Sequence, residues 1–221
     1  MAIAKQSKAS PRKTVSTPRG RPPLDETERG RILKATTAVF LERGFERAST
    51  NEIARRAQTS KQTLYALFPN KADLFAGVMS AHTEQLFSRH TYYIQSGTPP
   101  QQALTEIGHA VLKMFSDPEF LALYRIIVAE AHRFPDLARR LWSDCVGRGY
   151  DLLAEYLQSC RIGGPRYHDA ARQFASLVLG DFVLSAMLNP DLKLSSHANR
   201  TRVQKAVSDF LCLHPAPAAP R

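Results

Sequence analysis

Apolar residues recur along the chain at three- and four-residue intervals, the helical period, so the sequence predicts an all-α protein. From Asp25 the first helix has Asp25 and Glu28 in its opening turn, then Ile32, Ala35, Val39 and Phe40 on one face until Gly44 ends it. Ile53, Ala54 and Ala57 repeat the spacing, and Ser49 with Glu52 forms an S-x-x-E capping box ahead of them. In the next helix Leu64, Leu67 and Phe68 share one side, whereas Lys61, Gln62 and Tyr65 lie on the other. Only Gln58, Thr59 and Ser60 separate the two. That is enough for a sharp turn, with Ser60 capping the second helix. This is helix-turn-helix spacing. Asn70 then caps a further helix opened by Lys71, with Asp73 in its first turn. A cation and a set of free N–H groups there face any nearby phosphate.

The helix that begins at Lys71 runs toward Tyr93 through Val78, Met79, Leu86 and Phe87, and stops before Gly97-Thr98-Pro99-Pro100. Five helices are expected beyond it. The first, 101–116, carries Leu104, Ile107, Val111 and Phe115; the second, 118–133, is opened by Pro118. Apolar residues surround most of this second helix, Phe120, Tyr124, Ile127 and Val128 among them, which predicts burial on nearly all sides. A third starts near Pro135, bends at Gly147 or Gly149 and ends by Gly163-Gly164-Pro165. The fourth, 168–188, has more apolar surface than one core face requires, and the last, 196–213, shows a narrower stripe of Val203, Val207, Phe210 and Leu211.

Composition adds a division of charge. Of 221 residues, 43% are hydrophobic, enough for a sizeable core, and the formal net charge is +10. Residues 1–71 hold 15 Lys and Arg against 6 Asp and Glu, or +9; the remaining 15 and 14 leave +1 for the rest of the chain. Such asymmetry is the footprint of a nucleic-acid module joined to a near-neutral partner domain. Residues 1–24 contain no acidic residue and few apolar ones, so they are expected to be a disordered basic arm. Within it Arg19-Gly20-Arg21-Pro22 resembles the core of an AT-hook, which lays Arg19 and Arg21 in a narrow minor groove; a solubilising tail touching phosphates indiscriminately is the other reading. No apolar run reaches the roughly 18 residues of a membrane span and no apolar segment follows the basic N-terminus, so a cytoplasmic protein is expected. Cys145, Cys160 and Cys212 are too scattered for a disulfide framework or a metal site.

The stretch around the turn resembles the tetracycline-repressor (TetR) family. Its pattern stands here as Thr50, Ile53 and Ala54, a tight turn, then Ser60, Lys61, Thr63, Leu64, Tyr65, Phe68 and Lys71. The likeness is close over 25–75 and elsewhere rests on helix order and length; Phe134-Pro135-Asp136-Leu137 is similar to the AefR-type C-terminal branch of that family. One departure lies in the turn. Gln58-Thr59 replaces the family's usual Gly-Val, so a non-glycine residue must adopt positive φ at a cost of about 1 kcal/mol. With the basic arm (1–24) and a tail (215–221) expected from its composition to be disordered, the resemblance implies two domains between them: a three-helix helix-turn-helix DNA-binding domain (25–75) and a helical effector-binding and dimerisation domain (76–214). It also implies that the last two long helices pair with their copies as a four-helix bundle.

On this reading Thr50, Tyr65 and Lys71 hold phosphates, and Lys61 and Gln62 read bases, lysine through guanine O6 and N7 and glutamine through adenine. Ser60 and Thr63 complete the DNA-contacting set. A pocket beside residues 118–133 would be lined by Phe115, Tyr124, Ile127, Trp142 and Phe182, with polar points at His109, His132 and Asp181. The histidines lack metal-ligand spacing, so neither metal nor cofactor is expected. Three classes of function follow. The first is a homodimeric repressor on double-stranded palindromic DNA, released by a small apolar molecule. The second is an architectural DNA protein without an effector, and the third an enzyme using Cys145 or a His–Asp pair. No G-x-S-x-G, phosphate-binding glycine loop or clustered carboxylates support the enzyme.

Overall fold

The computed structural model describes residues 26–189, 192 and 196–215. Arg19, Arg21, the rest of the basic arm and the tail from 216 lie outside the described residues. Every described element is a helix. The first, α1 (Glu26–Arg47), buries Ile32, Val39 and Phe40 completely. Gly44 leaves helical conformation at φ 73, as its predicted role as a terminator requires, and a final turn beyond it swings Phe45 inward. There Phe45 meets Phe40 and Phe75, each with ring centroids 5.7 Å away.

Helices α2 (Thr50–Arg56) and α3 (Lys61–Leu67) stand on that base through Ile53, Ala54 and Leu64. The capping box expected at Ser49 and Glu52 does not form. Ser49 occupies the N-cap position in extended conformation, but its side chain makes no capping bond. Glu52 is drawn forward to Arg56, which also holds both carboxylate oxygens of Glu42 at 2.6 Å. A charge-assisted bond outcompetes the neutral amide that the box offers. The other two predicted caps are present: Ser60 accepts from the Thr63 amide at 2.9 Å and Asn70 from the Asp73 amide at 2.9 Å.

Helix α4 (Lys71–Ser96) ends at Gly97, which takes the left-handed φ of 62. It leads into α5 (Pro100–Phe115) and α6 (Pro118–Glu130). The predicted burial of α6 on nearly all sides is corrected. Phe120, Leu121, Leu123 and Ile127 are buried, but Val128 is 51% exposed and Tyr124 half-buried, because the surplus apolar face borders a cavity instead of solid core. The helix expected from Pro135 is α7 (Pro135–Leu141), a π-helical turn (Trp142–Gly147) and α8 (Arg148–Ser159) in unbroken succession. The helix expected over 168–188 is broken into α9 (Tyr167–Leu179) and α10 (Phe182–Leu188), bent by 50°. Gly180 sits at the break with φ 47 and ψ −129, a conformation open to glycine, so the helical period continues while the backbone does not. Finally α11 (Ser196–Leu213) packs on α5 and α9, burying Val203, Val207 and Phe210. Among the described residues no single helix is long and apolar enough to cross a membrane.

Candidate nucleic-acid interface and effector cavity

The predicted reading face is presented as a unit on α3. Lys61, Gln62 and Tyr65 are exposed, and the Lys61 ammonium rests 5.8 Å from the centre of the Tyr65 ring. The Tyr65 hydroxyl meets the Thr50 hydroxyl at 3.0 Å, so two residues from different helices form one polar point. Ser60 and Thr63 are joined by their hydroxyls at 2.9 Å, within the cap of α3. Thr59 ties this turn back to α1 by donating to Glu28 at 2.8 Å.

Lys71 differs from expectation. Instead of a free cation at the start of α4, its amine donates to the Glu46 carbonyl at 2.7 Å and the Ala48 carbonyl at 3.4 Å, 4.9 Å from the centre of the Phe45 ring. The last carbonyls of α1 lack helical partners, and the lysine supplies them. Its burial pushes the ammonium pKa down, against the opposing field of Glu46.

The helical body encloses a cavity of about 330 Å³ between α4, α5, α6, the π-helical turn, α8 and α9. Four predicted residues line it: Phe115, Tyr124, Ile127 and Trp142. The other four lie elsewhere. Phe182 is core at the start of α10, His109 is half-buried off the lining, His132 is exposed past the end of α6, and Asp181 pairs with Arg202 at 3.3 Å. Helical spacing identified the wall helices but not which flank of each faces inward. The sequence reading also missed the contribution of α4 through Met79, Thr83 and Phe87, and of α8 through Tyr150. The tyrosine was legible as an aromatic at i, i+3 and i+7 spacing with Leu153 and Leu157, on the inward face of its helix. Among the described residues no group of three or more His, Cys, Asp and Glu is placed to hold a metal.

Head and body are fastened to each other by groups the sequence did not pair. Arg133, just past α6, forms a two-pronged ion pair with Glu46 at the end of α1, and Arg140 of α7 pairs with Asp73 in the first turn of α4. Phe134 packs edge-on against Phe45 at 4.9 Å. Hydrogen bonding to Arg133 holds the Glu46 carboxyl below its ordinary value, and the same bond raises the Arg133 guanidinium.

A helix-turn-helix head with an exposed, basic second helix, carried on a helical body that encloses an apolar cavity, defines a DNA-binding regulator. Comparison with known proteins agrees. Residues 32–78 match the family described as bacterial regulatory proteins, tetR family, and residues 102–214 match the C-terminal domain of AefR-like transcriptional repressors. The chain belongs to the TetR family of transcriptional regulators. It is 28% identical over 181 residues to the transcriptional repressor KstR of Mycolicibacterium smegmatis, covering 80% of this chain and 81% of KstR. It is also 38% identical over 82 residues to the activator FasR of the same species, a match spanning 37% of each chain. Among solved structures, a TetR-family regulator from Mesorhizobium loti superposes with TM-score 0.74 at 25% identity, covering 86% of this chain and 98% of that one. The flavonoid-responsive regulator FrrA superposes with TM-score 0.66 at 30% identity, covering 87% and 98%.

Proposed function

We propose that this regulator is a homodimeric repressor that binds a palindromic operator and releases it when a small apolar molecule fills the cavity. The observation that carries the reading is α4. One uninterrupted 26-residue helix, roughly 39 Å long at 1.5 Å per residue, begins beside the reading head and supplies Met79, Thr83 and Phe87 to the cavity wall. Lys61 and Gln62 read base edges, the Thr50–Tyr65 hydroxyl pair and the Ser60–Thr63 turn hold the DNA backbone, and Lys71 fixes the end of α1 beside them. Arg19 and Arg21 extend the contact into the adjacent minor groove. Leu184 and Leu188 of α10, 65% and 78% exposed, support a second copy as the occupant of that face.

Two recognition helices must enter successive major grooves about 34–36 Å apart, so any shift of α4 that changes their separation costs operator affinity. The effector acts only through its preference for one separation over the other. The names of KstR, a repressor, and FrrA, a ligand-responsive regulator, support the same reading. The test is fluorescence anisotropy of the full chain on DNA flanking its own gene, with random-sequence competitor. A preference of about a thousandfold or more for one palindrome is expected. Uniform, salt-sensitive binding to all sequences would instead support an architectural DNA protein.

A further inference from the structure

The cavity lining restricts what can enter it. Its wall is ringed by aromatic side chains: Phe115 meets Phe120 and Tyr124 edge-on at 5.3 and 5.7 Å, and Trp142 meets Tyr150 at 6.5 Å. No Asp, Glu, Lys, Arg or His belongs to the lining. Three arginines on the surrounding helices have other contacts. Arg125 donates to the Met187 carbonyl at 3.1 Å and also to that of Ala186, Arg148 lies over the Phe87 ring at 4.7 Å, and Arg172 over the Tyr150 ring at 5.2 Å. An ionised carboxylate or phosphate placed inside would lose its water and gain no counter-charge from the lining.

Two tyrosines, Tyr124 and Tyr150, nevertheless belong to the lining. The hydroxyls of Tyr124 and Tyr150 make no hydrogen bond to another group among the described residues, and the two rings sense one another electrostatically. Burial pushes the Tyr124 pKa up, so it stays a neutral hydroxyl, able both to donate and to accept. The mouth is marked by lining residues that are also open to solvent: Val128, 51% exposed on α6, and Trp142, 53% exposed at the start of the π-helical turn. A π-turn is a common device at binding sites because it widens the helix and re-aims a side chain.

We infer that the effector is an uncharged molecule of two or three aromatic rings bearing a hydroxyl, which enters between Val128 and Trp142 and is oriented by Tyr124 and Tyr150. This rests on the proposal that the cavity is the effector site. The volume, at the lower end of the range for small-molecule pockets, suits that size. Ring-on-ring contacts favour flat aromatics over alkyl chains of equal area.

The experiment is calorimetric titration of the full chain at neutral pH with four probes: 2-naphthol, naphthalene, 2-naphthoic acid and decanoic acid. 2-Naphthol is expected to bind about tenfold or more tightly than either acid. In Tyr124→Phe its affinity should fall about fivefold while that for naphthalene stays unchanged; circular dichroism verifies that the variant is folded. Equal or tighter binding of 2-naphthoate or decanoate overturns the inference, as does no binding of 2-naphthol, or an equal loss for naphthol and naphthalene in Tyr124→Phe. Failure of the regulatory reading would appear separately, as absence of operator preference in the unliganded chain, and would leave these titrations intact.

Discussion

Gln58 holds φ at 53 in the turn between α2 and α3. Its own amide donates to the Arg55 carbonyl at 3.2 Å and the next amide, of Thr59, to that of Ala54 at 3.0 Å, the paired closure of a Schellman motif. Such a closure needs a left-handed residue after the last helical one, and a side chain there costs about 1–2 kcal/mol. Gln58→Gly removes that cost but adds freedom to the unfolded chain, which takes back roughly 0.5–1 kcal/mol. Because Gln58 is exposed, no buried contact is lost. The net expectation is a gain of about 0.5–1 kcal/mol, or roughly 1–4 °C in Tm for a chain of this size.

The body contains an internal control. Arg161 has φ 57, its amide donates to Gln158 at 3.0 Å and that of Ile162 to Leu157 at 2.9 Å, so the same motif ends α8 with an exposed arginine in the glycine position. Arg161→Gly should stabilise to a similar extent, and the two gains should add within about 0.5 kcal/mol because the sites share no partners. Urea unfolding of both single variants, the double variant and Gln58→Ala measures this. Alanine cannot relieve a left-handed backbone, so Gln58→Ala should bring no gain. A loss of stability in Gln58→Gly, or an equal gain in Gln58→Ala, would refute the strain argument. Only Gln58→Gly should alter operator affinity, since it alone changes the turn that aims α3.

The remaining expectations concern recognition and the head–body fastening. Gln62→Ala should lose about 1–3 kcal/mol of discrimination at one position in each half-site and little elsewhere, read from anisotropy on a panel of operator variants; equal losses on every variant would contradict base reading. Lys71→Met should lower stability by about 1–2 kcal/mol in thermal unfolding without DNA, because it strands the Glu46 and Ala48 carbonyls; an unchanged Tm would contradict the capping role. Arg133→Gln should lower Tm at neutral pH. Since Arg133 holds the folded Glu46 pKa below its ordinary value, the pair's contribution is full above the unfolded carboxylate pKa and is lost as pH falls through the folded one. The gap between variant and parent should therefore narrow as pH falls below the ordinary carboxylate range, and a gap that stays constant throughout acid titration would count against the ion pair.

What was legible in the sequence was local. Ser60, Asn70 and Gly97 announced their helix ends because a cap is decided within a few residues, and the positive φ of Gln58 was expected because it stands where the resembled family has glycine. Where a distant group competes, the local signal fails. Glu52 answers to an arginine that also holds Glu42, and Lys71 to carbonyls more than twenty residues earlier. Periodicity has its own blind spot. It continues undisturbed through the Gly180 break and the π-helical turn, and it places Phe182, Asp181, His109 and His132 on helices without fixing how those helices rotate toward the cavity.

The unread contacts share a direction: they join the end of α1 and the start of α4 to α7 and the segment that precedes it. Arg133 reaches Glu46 across 87 positions of sequence, Arg140 reaches Asp73 across 67, and Phe134 closes the ring against Phe45. The head is thus held from two sides, along α4 and across the corner at Phe134, and both supports start from helices that border the cavity. If α4 alone joined them, displacing it would swing a head free to relax by rotating about its first turn. With Lys71 bonded to the carbonyls of Glu46 and Ala48 and the corner held by Arg133, that rotation must break charge-assisted bonds, so under the proposed release mechanism a displacement of the cavity wall would be passed to α3 instead of being lost at the joint.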